Sequence, residues 1–450
     1  MKRNAEPKYI ELHGLKIPRS SIQTHLIILG ASGSGKSNGI LKPALRSCLA
    51  QGDAAAVFDP KGDLLEIVRE ALSRCRRSRD LITLGIGDLD HTFNPLGDKS
   101  LTPHQMVQQL LVASTITGQS LSQRTGSEDL FWSSARTELL VTMVELAMQT
   151  LAGSEESMTF RHLQKLRPNL AQTSGALQRW AKEVGEILSE SSAASLMEFS
   201  TYPDSTRACV LNSATNVLAP FQRPPLSRLV LPTPQRPPLN LQDIINESKV
   251  LVISASHAEH AQDLWPGFLL LKQNLYRLIL SRPRLKIRQD NHLLVVLDEY
   301  TRMMLAADSQ ASEHVVMEAA RSSKTSFLLA AQNLSGLEII GGHTVVDKLA
   351  ALASNFCFLQ NTCPATARLA QRVLGTKKTF KRHESVTPRL PPPWLFPDPA
   401  GPAEPTVAST MLVPVEEPVV SPSELAQLKT GEAHLKLADG SIHKIQCTFD

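Results

Sequence analysis

The chain has no run of about 18 to 20 apolar residues, the length a membrane-spanning helix needs. Its start, MKRNAEPKYIELHG, is basic with no apolar segment behind it, so neither a secretory signal nor an anchor is expected. Cysteine is scarce: Cys48, Cys75, Cys209, Cys357, Cys363 and Cys447 are scattered over 450 residues. None forms a Cys-x-x-Cys pair, and Cys357 to Cys363 has the wrong spacing for a zinc ribbon. Buried thiols in a reducing cytosol are expected instead. Excess charge is also small: 47 Lys and Arg against 43 Asp and Glu leave +4, which by itself identifies no polyanionic partner. Aromatics make up only 5% of the chain. Two basic clusters, SRCRRSRD (73–80) and RLILSRPRLKIR (277–288), have no aromatic interleaving and read as solvated faces rather than phosphate tracks.

What is present is ordinary for a soluble globular protein, with 42% hydrophobic and 20% charged residues. The length suggests two or three domains.

The strongest signal is HLIILGASGSGKSNGILKPAL. Leu26 to Leu29 predict a short buried strand, a helix follows, and Gly30, Ala31, Ser32, Gly33, Ser34, Gly35, Lys36 and Ser37 between them match G-x-x-x-x-G-K-S. In that context backbone N–H groups and the helix N-terminus converge on phosphates. Gly33 and Gly35 allow close approach of the backbone, Lys36 reaches the β- and γ-phosphates, and Ser37 ligates Mg²⁺. ATP and Mg²⁺ are the expected ligands.

Such a site needs an acid at the end of a second buried strand. NHLLVVLDEYTRM supplies one: Leu293 to Leu297 read as a buried parallel strand, followed by Asp298, a metal ligand, and Glu299, which polarises the attacking water. The plainer alternative is an acidic pair opening the next helix. A third strand, TSFLLAAQNLSG, ends on Gln332, read as a γ-phosphate sensor or a satisfied loop amide. Eleven residues earlier, Arg321 reads as an arginine finger toward a neighbouring subunit or as a helix-end arginine.

About 260 residues separate the loop from the acidic strand. From Pro103 to about Asn240 the pattern is helical. SEDLFWSSARTELLVTMVELAMQTL opens on Ser127 and places Leu130, Phe131, Leu139, Leu140, Met143 and Leu146 at helical spacing, and Trp132 and Trp180 read as core residues rather than stacking platforms for bases. A strand is expected at 249–256, another at 354–360, and SELAQLKTGEAHLKLADGSIHKIQCTF is expected to close the chain as a short helix and a hairpin turning at Asp439-Gly440. Residues 388–422 are Pro-rich and read as a semi-extended surface excursion without stable helix or central strand.

These segments together resemble the type IV secretion coupling proteins of the TraG/TraD type. The resemblance is carried by GASGSGKS, FDPKGDL, FNPL (Phe93 to Leu96), EDLFWSSA, LVVLDEY, the Gln332 strand, SNFCFLQN…ATARLAQRVLG and SPSELAQLKTGEAHLKL, in that order. It implies an α/β fold: a RecA-like P-loop ATPase core with a mainly parallel sheet and an inserted all-α domain. The chain then divides into residues 1–100, the inserted unit 101–245, and 246–450. It also implies that the strand ending at Asp59 lies beside that of Asp298, so that Asp59 points into the nucleotide crevice. Pro60 and Gly62 would fix the turn and Lys61 would be free to meet phosphate or an adjoining subunit, or the turn would be capped by Asp63. The implied function is an ATP-driven hexamer moving DNA, with an attached relaxase, toward the type IV secretion machinery, with the all-α unit recognising substrate. Family members typically begin with transmembrane helices, and this chain departs from that pattern. A missing anchor, or a cytoplasmic chain joining a membrane-anchored partner, is the expectation. Protein effectors as cargo, another DNA translocase, and a nucleotide-gated scaffold are the competing readings.

Overall fold

The computed structural model describes residues 9–18, 21, 24–85, 91–114, 127–254, 261–284, 291–304, 312–320, 322–387 and 406–448. Its strands are β1 (Tyr9–Leu12), β2 (Leu15–Pro18), β3 (Leu26–Leu29), β4 (Ala54–Asp59), β5 (Leu81–Gly85), β6 (Val250–Ser254), β7 (Leu293–Leu297), β8 (Thr325–Ala331), β9 (Asn355–Leu359), β10 (Thr376–Thr387), β11 (Thr406–Pro418), β12 (Glu432–Lys436) and β13 (Ile442–Gln446). Nine of them form one sheet in the order β13-β12-β9-β3-β8-β7-β4-β6-β5. From β9 to β5 every pairing is parallel, and the closing hairpin adds β12 and β13 antiparallel at the β9 edge.

The central strands are buried along their whole length. Continuous apolar runs such as LIIL and LLVVL follow from this, because helices cover both faces of a parallel sheet. Alternate residues feed two cores. Ile27, Phe58, Val295 and Leu297 face one of them, and Ile28, Val57, Leu294 and Val296 face the other. The β1–β2 hairpin, which the sequence reading missed, seals the second core with Ile10, Leu12 and Ile17.

Between β5 and β6 the described chain is helical, from Pro103–Ser114 and Ser127–Thr150 to Leu241–Asn246. This is the stretch expected to be all-α. Its apolar residues Leu139, Leu140, Met143, Phe160 and Phe221 belong to the same hydrophobic cluster as the first sheet face. The FNPL turn clasps its base: the Phe93 N–H donates to the Leu229 carbonyl at 2.8 Å and Asn94 Nδ2 to that of Met158 at 2.9 Å.

Several expectations need correcting. Leu130, Phe131 and Trp132 are exposed (72, 42 and 38%), with the Phe131 ring 5.8 Å from that of Tyr202, whereas Trp180 does pack on the core. The basic clusters are not uniformly solvated faces. Arg77 donates to the carbonyls of Leu49, Asp53 and Ser248, tying the end of one helix and the turn before β4 to the turn before β6. Arg282 is fully buried and donates to the carbonyls of Ser323 and Asn291. Within the Pro-rich stretch, β11 is a regular strand that pairs antiparallel with β10 in a two-stranded ribbon outside the main sheet, so no central strand forms there, and Pro422–Gln427 is the short closing helix expected from the sequence. The remainder, 388–405, lies outside the described residues. Cys48, Cys357 and Cys447 are buried as expected, Cys75 and Cys363 are half-buried, and Cys209 is exposed. Among the described residues no helix is long and apolar enough to cross a membrane, and no group of three or more ligating side chains could hold a metal ion.

Candidate nucleotide site

The sheet order places three strand ends in a row: β3 leads into the loop Gly30 to Ser37, β8 ends before Gln332, and β7 ends before Asp298. The fourth, β4, ends on Asp59. All lie at the carboxyl edge of the parallel sheet, where such folds bind ligands.

The loop is held from outside its own segment. The Ala31 N–H donates to the Gln360 carbonyl at 2.8 Å, and the Gly431 N–H donates to the Ser34 carbonyl at 3.0 Å. That second bond gives the KTGEAHLKL segment a role, since the closing hairpin braces the loop. Gly33 (φ 75°) and Gly35 (φ 102°) take left-handed backbone, which residues with a Cβ adopt at a cost. Lys36 then opens a π-type segment, Lys36–Leu41, that continues as the helix Lys42–Ala50. Its ammonium donates to the Gly30 and Ala31 carbonyls at 2.7 and 2.9 Å, and burial lowers its pKa.

Ser37 Oγ donates to Asp298 Oδ2 at 3.0 Å across 261 residues of sequence. The other Asp298 oxygen accepts the Glu299 N–H at 2.9 Å. Burial raises the Asp298 pKa against these hydrogen bonds. Glu299 follows with left-handed backbone (φ 50°, ψ 46°) at the start of the one-turn helix Tyr300–Met303, and its side chain makes no capping bond there. It is 7% exposed, with one oxygen 2.5 Å from Lys61 Nζ and the other 3.1 Å from Arg302 Nε. The hydrogen bond to Glu299 raises the Lys61 pKa. Lys61 is therefore engaged rather than free, and Arg302 is a neighbour that sequence reading did not single out. The i, i+3 spacing of Glu299 and Arg302 on one short helix was the available signal.

Asp59 is fully buried. One oxygen accepts the Gly62 N–H at 2.9 Å, and the other accepts those of Leu64 and Leu65 at 2.8 and 3.1 Å. It is Asp59, not Asp63, that secures the turn. Burial still pushes its pKa up to about 6, with Asp298 adding to the rise. Gln332 is exposed at the end of β8, next to the Ala331 carbonyl that accepts the Gly30 N–H. Arg321 lies outside the described residues.

Taken together, the arrangement can seat phosphates against loop amides, a lysine and a helix N-terminus, with a hydroxyl–carboxylate pair and a second carboxylate alongside.

Comparisons agree with this geometry. The model of the family Type IV secretory system Conjugative DNA transfer matches residues 6–389. No curated protein matches. Among solved structures, the unbound bacterial conjugative coupling protein TrwBdeltaN70 superposes with a TM-score of 0.65 at 18% identity, covering 99% of this chain and 89% of that one. The plasmid coupling protein TrwB in complex with the ATP analogue ADPNP gives 0.65 at 17% identity, with coverage of 98% and 89%. TrwB in complex with ADP and Mg²⁺ gives 0.63 at 18%, with 98% and 90%. At these identities the likeness speaks for the fold.

Proposed function

The chain belongs to the type IV secretory system conjugative DNA transfer family, and from that premise we propose that it is an ATP-hydrolysing oligomeric motor coupling a DNA substrate to a type IV secretion channel. The observation that carries this reading is the 3.0 Å contact between Ser37 and Asp298, with Glu299 directly after it.

Ser37 and Asp298 would hold Mg²⁺. Both offer hard oxygen donors, and the carboxylate is buried with its pKa raised, so a cation suits it. Bound there, Mg²⁺ would supply neutralisation of the charge that develops on the phosphates. The amides from Gly30 to Ser37, with Ala31, Ser32, Gly33, Ser34 and Gly35 between, cradle the phosphates. Lys36 turns from the loop carbonyls to the β- and γ-oxygens. Glu299 takes the proton of the attacking water, which is general-base work for a positioned carboxylate. Gln332 reads the γ-phosphate, and Arg321 acts as a finger toward the neighbouring subunit. Asp59 serves the site by fixing the turn that carries Lys61. Complexes of TrwB with ADPNP and with ADP and Mg²⁺ support ATP and Mg²⁺ as the ligands.

Residues 1–100 and 246–450 then form the nucleotide-binding domain and 101–245 the substrate-engaging unit. Family membership supports a homo-oligomer, a hexamer in our reading, acting on DNA that carries a relaxase. It works in the cytoplasm or at the inner membrane through an anchored partner. The test is ATP turnover with and without single- and double-stranded DNA over a salt series, with Lys36→Ala as control. Stimulation by DNA that weakens with salt, as counterion release requires, and that vanishes in the variant is the expected result. Turnover indifferent to DNA would shift the substrate to protein, and tight ATP binding without turnover would replace the motor by a nucleotide-gated scaffold.

A further inference from the structure

Behind the site lies a buried ion pair for which nucleotide chemistry has no direct use. Lys272 and Tyr276 stand one turn apart on the helix Ala261–Ser281, exposed by 1 and 0%. The Lys272 ammonium sits 2.5 Å from Glu313 Oε1, whose side chain is 1% exposed. The Tyr276 hydroxyl donates to the same oxygen at 3.2 Å, and the ammonium also lies 5.6 Å from the Tyr276 ring centroid. Burial and the Glu313 carboxylate push the phenols of Tyr276 and Tyr300 well up. Tyr300 is thus a neighbour of the pair, and it directly follows Glu299.

A charge pair this deep is poor evidence of added stability, because desolvation offsets its attraction and well-packed apolar residues commonly do as well. One thing apolar residues cannot do is donate a hydrogen bond. Lys272 Nζ donates to the carbonyl of Met303, the last residue of the one-turn helix Tyr300–Met303. Four residues leave most helix-end groups without partners inside the helix, and Glu299 enters it through left-handed backbone. Such a conformation persists only where its surroundings over-determine it. The buried Tyr300 ring at one end of the turn and the bonded Met303 carbonyl at the other provide that constraint.

We infer that Lys272, held in place by Glu313, is a positioning residue that fixes the turn behind Glu299 and through it the aim of the Glu299 carboxylate. This rests on the reading of Glu299 as the general base.

The test compares two charge-free double variants of the full chain. Lys272→Met/Glu313→Leu removes the donor, while Lys272→Gln/Glu313→Gln retains one. Each is assayed for ADPNP affinity, melting temperature, and kcat and KM for ATP. The donor-free pair is expected to lose kcat by about tenfold or more with affinity and KM little changed, and the donor-retaining pair to lose less than about threefold. In a Glu299→Gln background the donor-free pair is expected to add no further loss, because it acts through the same carboxylate. Equal kcat in the two pairs, or losses that multiply with Glu299→Gln, would overturn the inference. If the donor-free pair does not fold, Lys272→Met/Glu313→Gln against Lys272→Gln/Glu313→Gln makes the same comparison without leaving a buried charge unpaired. A wild-type chain without Lys36-dependent turnover would instead defeat the functional reading, and this inference with it.

Discussion

Lys61 and Glu299 stand on the turns that follow two neighbouring strands, β4 and β7, and their charged ends meet at 2.5 Å. The lysine is half exposed and the glutamate nearly buried, so the pair sits at the mouth of the site with its acidic member inside. This gives the Asp-Pro-Lys-Gly-Asp turn a purpose: Asp59 locks the backbone through three N–H groups, and the locked turn presents Lys61 to the carboxylate proposed as base. Because Lys61 is so exposed, the pair should add no more than about 1 kcal/mol to stability. Lys61→Met is therefore expected to leave the melting temperature nearly unchanged and to lower kcat by about three- to tenfold, with ADPNP affinity held. A rise in turnover would mean that Lys61 restrains Glu299 rather than aims it.

Glu299→Gln keeps the shape of the side chain and removes its basicity. Turnover is expected to fall by about 10²- to 10⁴-fold while ADPNP still binds. Lys36→Ala is expected to weaken ADPNP binding itself, so equilibrium binding of the two variants separates their roles. If Glu299→Gln turns over ATP at the wild-type rate, the base must be sought elsewhere.

How much of this was legible in the sequence depended on whether the signal was local. β3, β4 and β7 could be read because buried parallel strands are continuous apolar runs that end at the loop and the carboxylates of the candidate site. The closing hairpin could be read from Asp439-Gly440. The β10–β11 ribbon could not: Lys377, Lys378, Phe380, Lys381 and Arg382 are all exposed, and only half-buried positions such as Thr379, Val413 and Val415 mark its covered side, so the buried-strand pattern is weak. Arg282 and Lys272 look like surface cations in any window of sequence. They are buried only because carbonyls or a carboxylate from segments distant in the chain converge on them. Leu130, Phe131 and Trp132 mislead in the opposite sense, since apolar residues at the start of a long helix carry no mark of where packing begins.

The loop glycines make separable predictions. A Cβ on Gly30 would lie 2.5 Å from Ser34 Oγ and 2.8 Å from Leu359 Cβ, so Gly30→Ala must displace the loop or the β9 edge. A cost of about 1–3 kcal/mol is expected, together with weakened ADPNP binding. At Gly33 a Cβ would meet nothing within 4 Å, and the cost there is the left-handed φ alone, about 1 kcal/mol. Urea denaturation of the two variants checks the ranking. A Gly33→Ala chain less stable than Gly30→Ala would contradict it.

Asp59 should leave a signature in the dependence of stability on pH. Its pKa in the folded chain, about 6, lies above the ordinary 3.8, so between these values the folded state binds more protons than the unfolded one. Stability from this group is therefore fully present below about pH 4 and is lost as pH rises through about 6, the reverse of a salt-bridged carboxylate. The rise corresponds to a change on the order of 3 kcal/mol. Asp59→Asn cannot titrate, and whatever hydrogen bonding it loses at Gly62, Leu64 and Leu65 is independent of pH. Asp298 is present in both chains, so most of its own titration cancels in the comparison. Urea unfolding of both proteins from pH 4 to 7 should show the stability of wild type minus variant falling across the window and levelling above it. A difference that stays flat would mean that the three backbone donors hold the Asp59 carboxylate ionised throughout and that burial does not govern its charge.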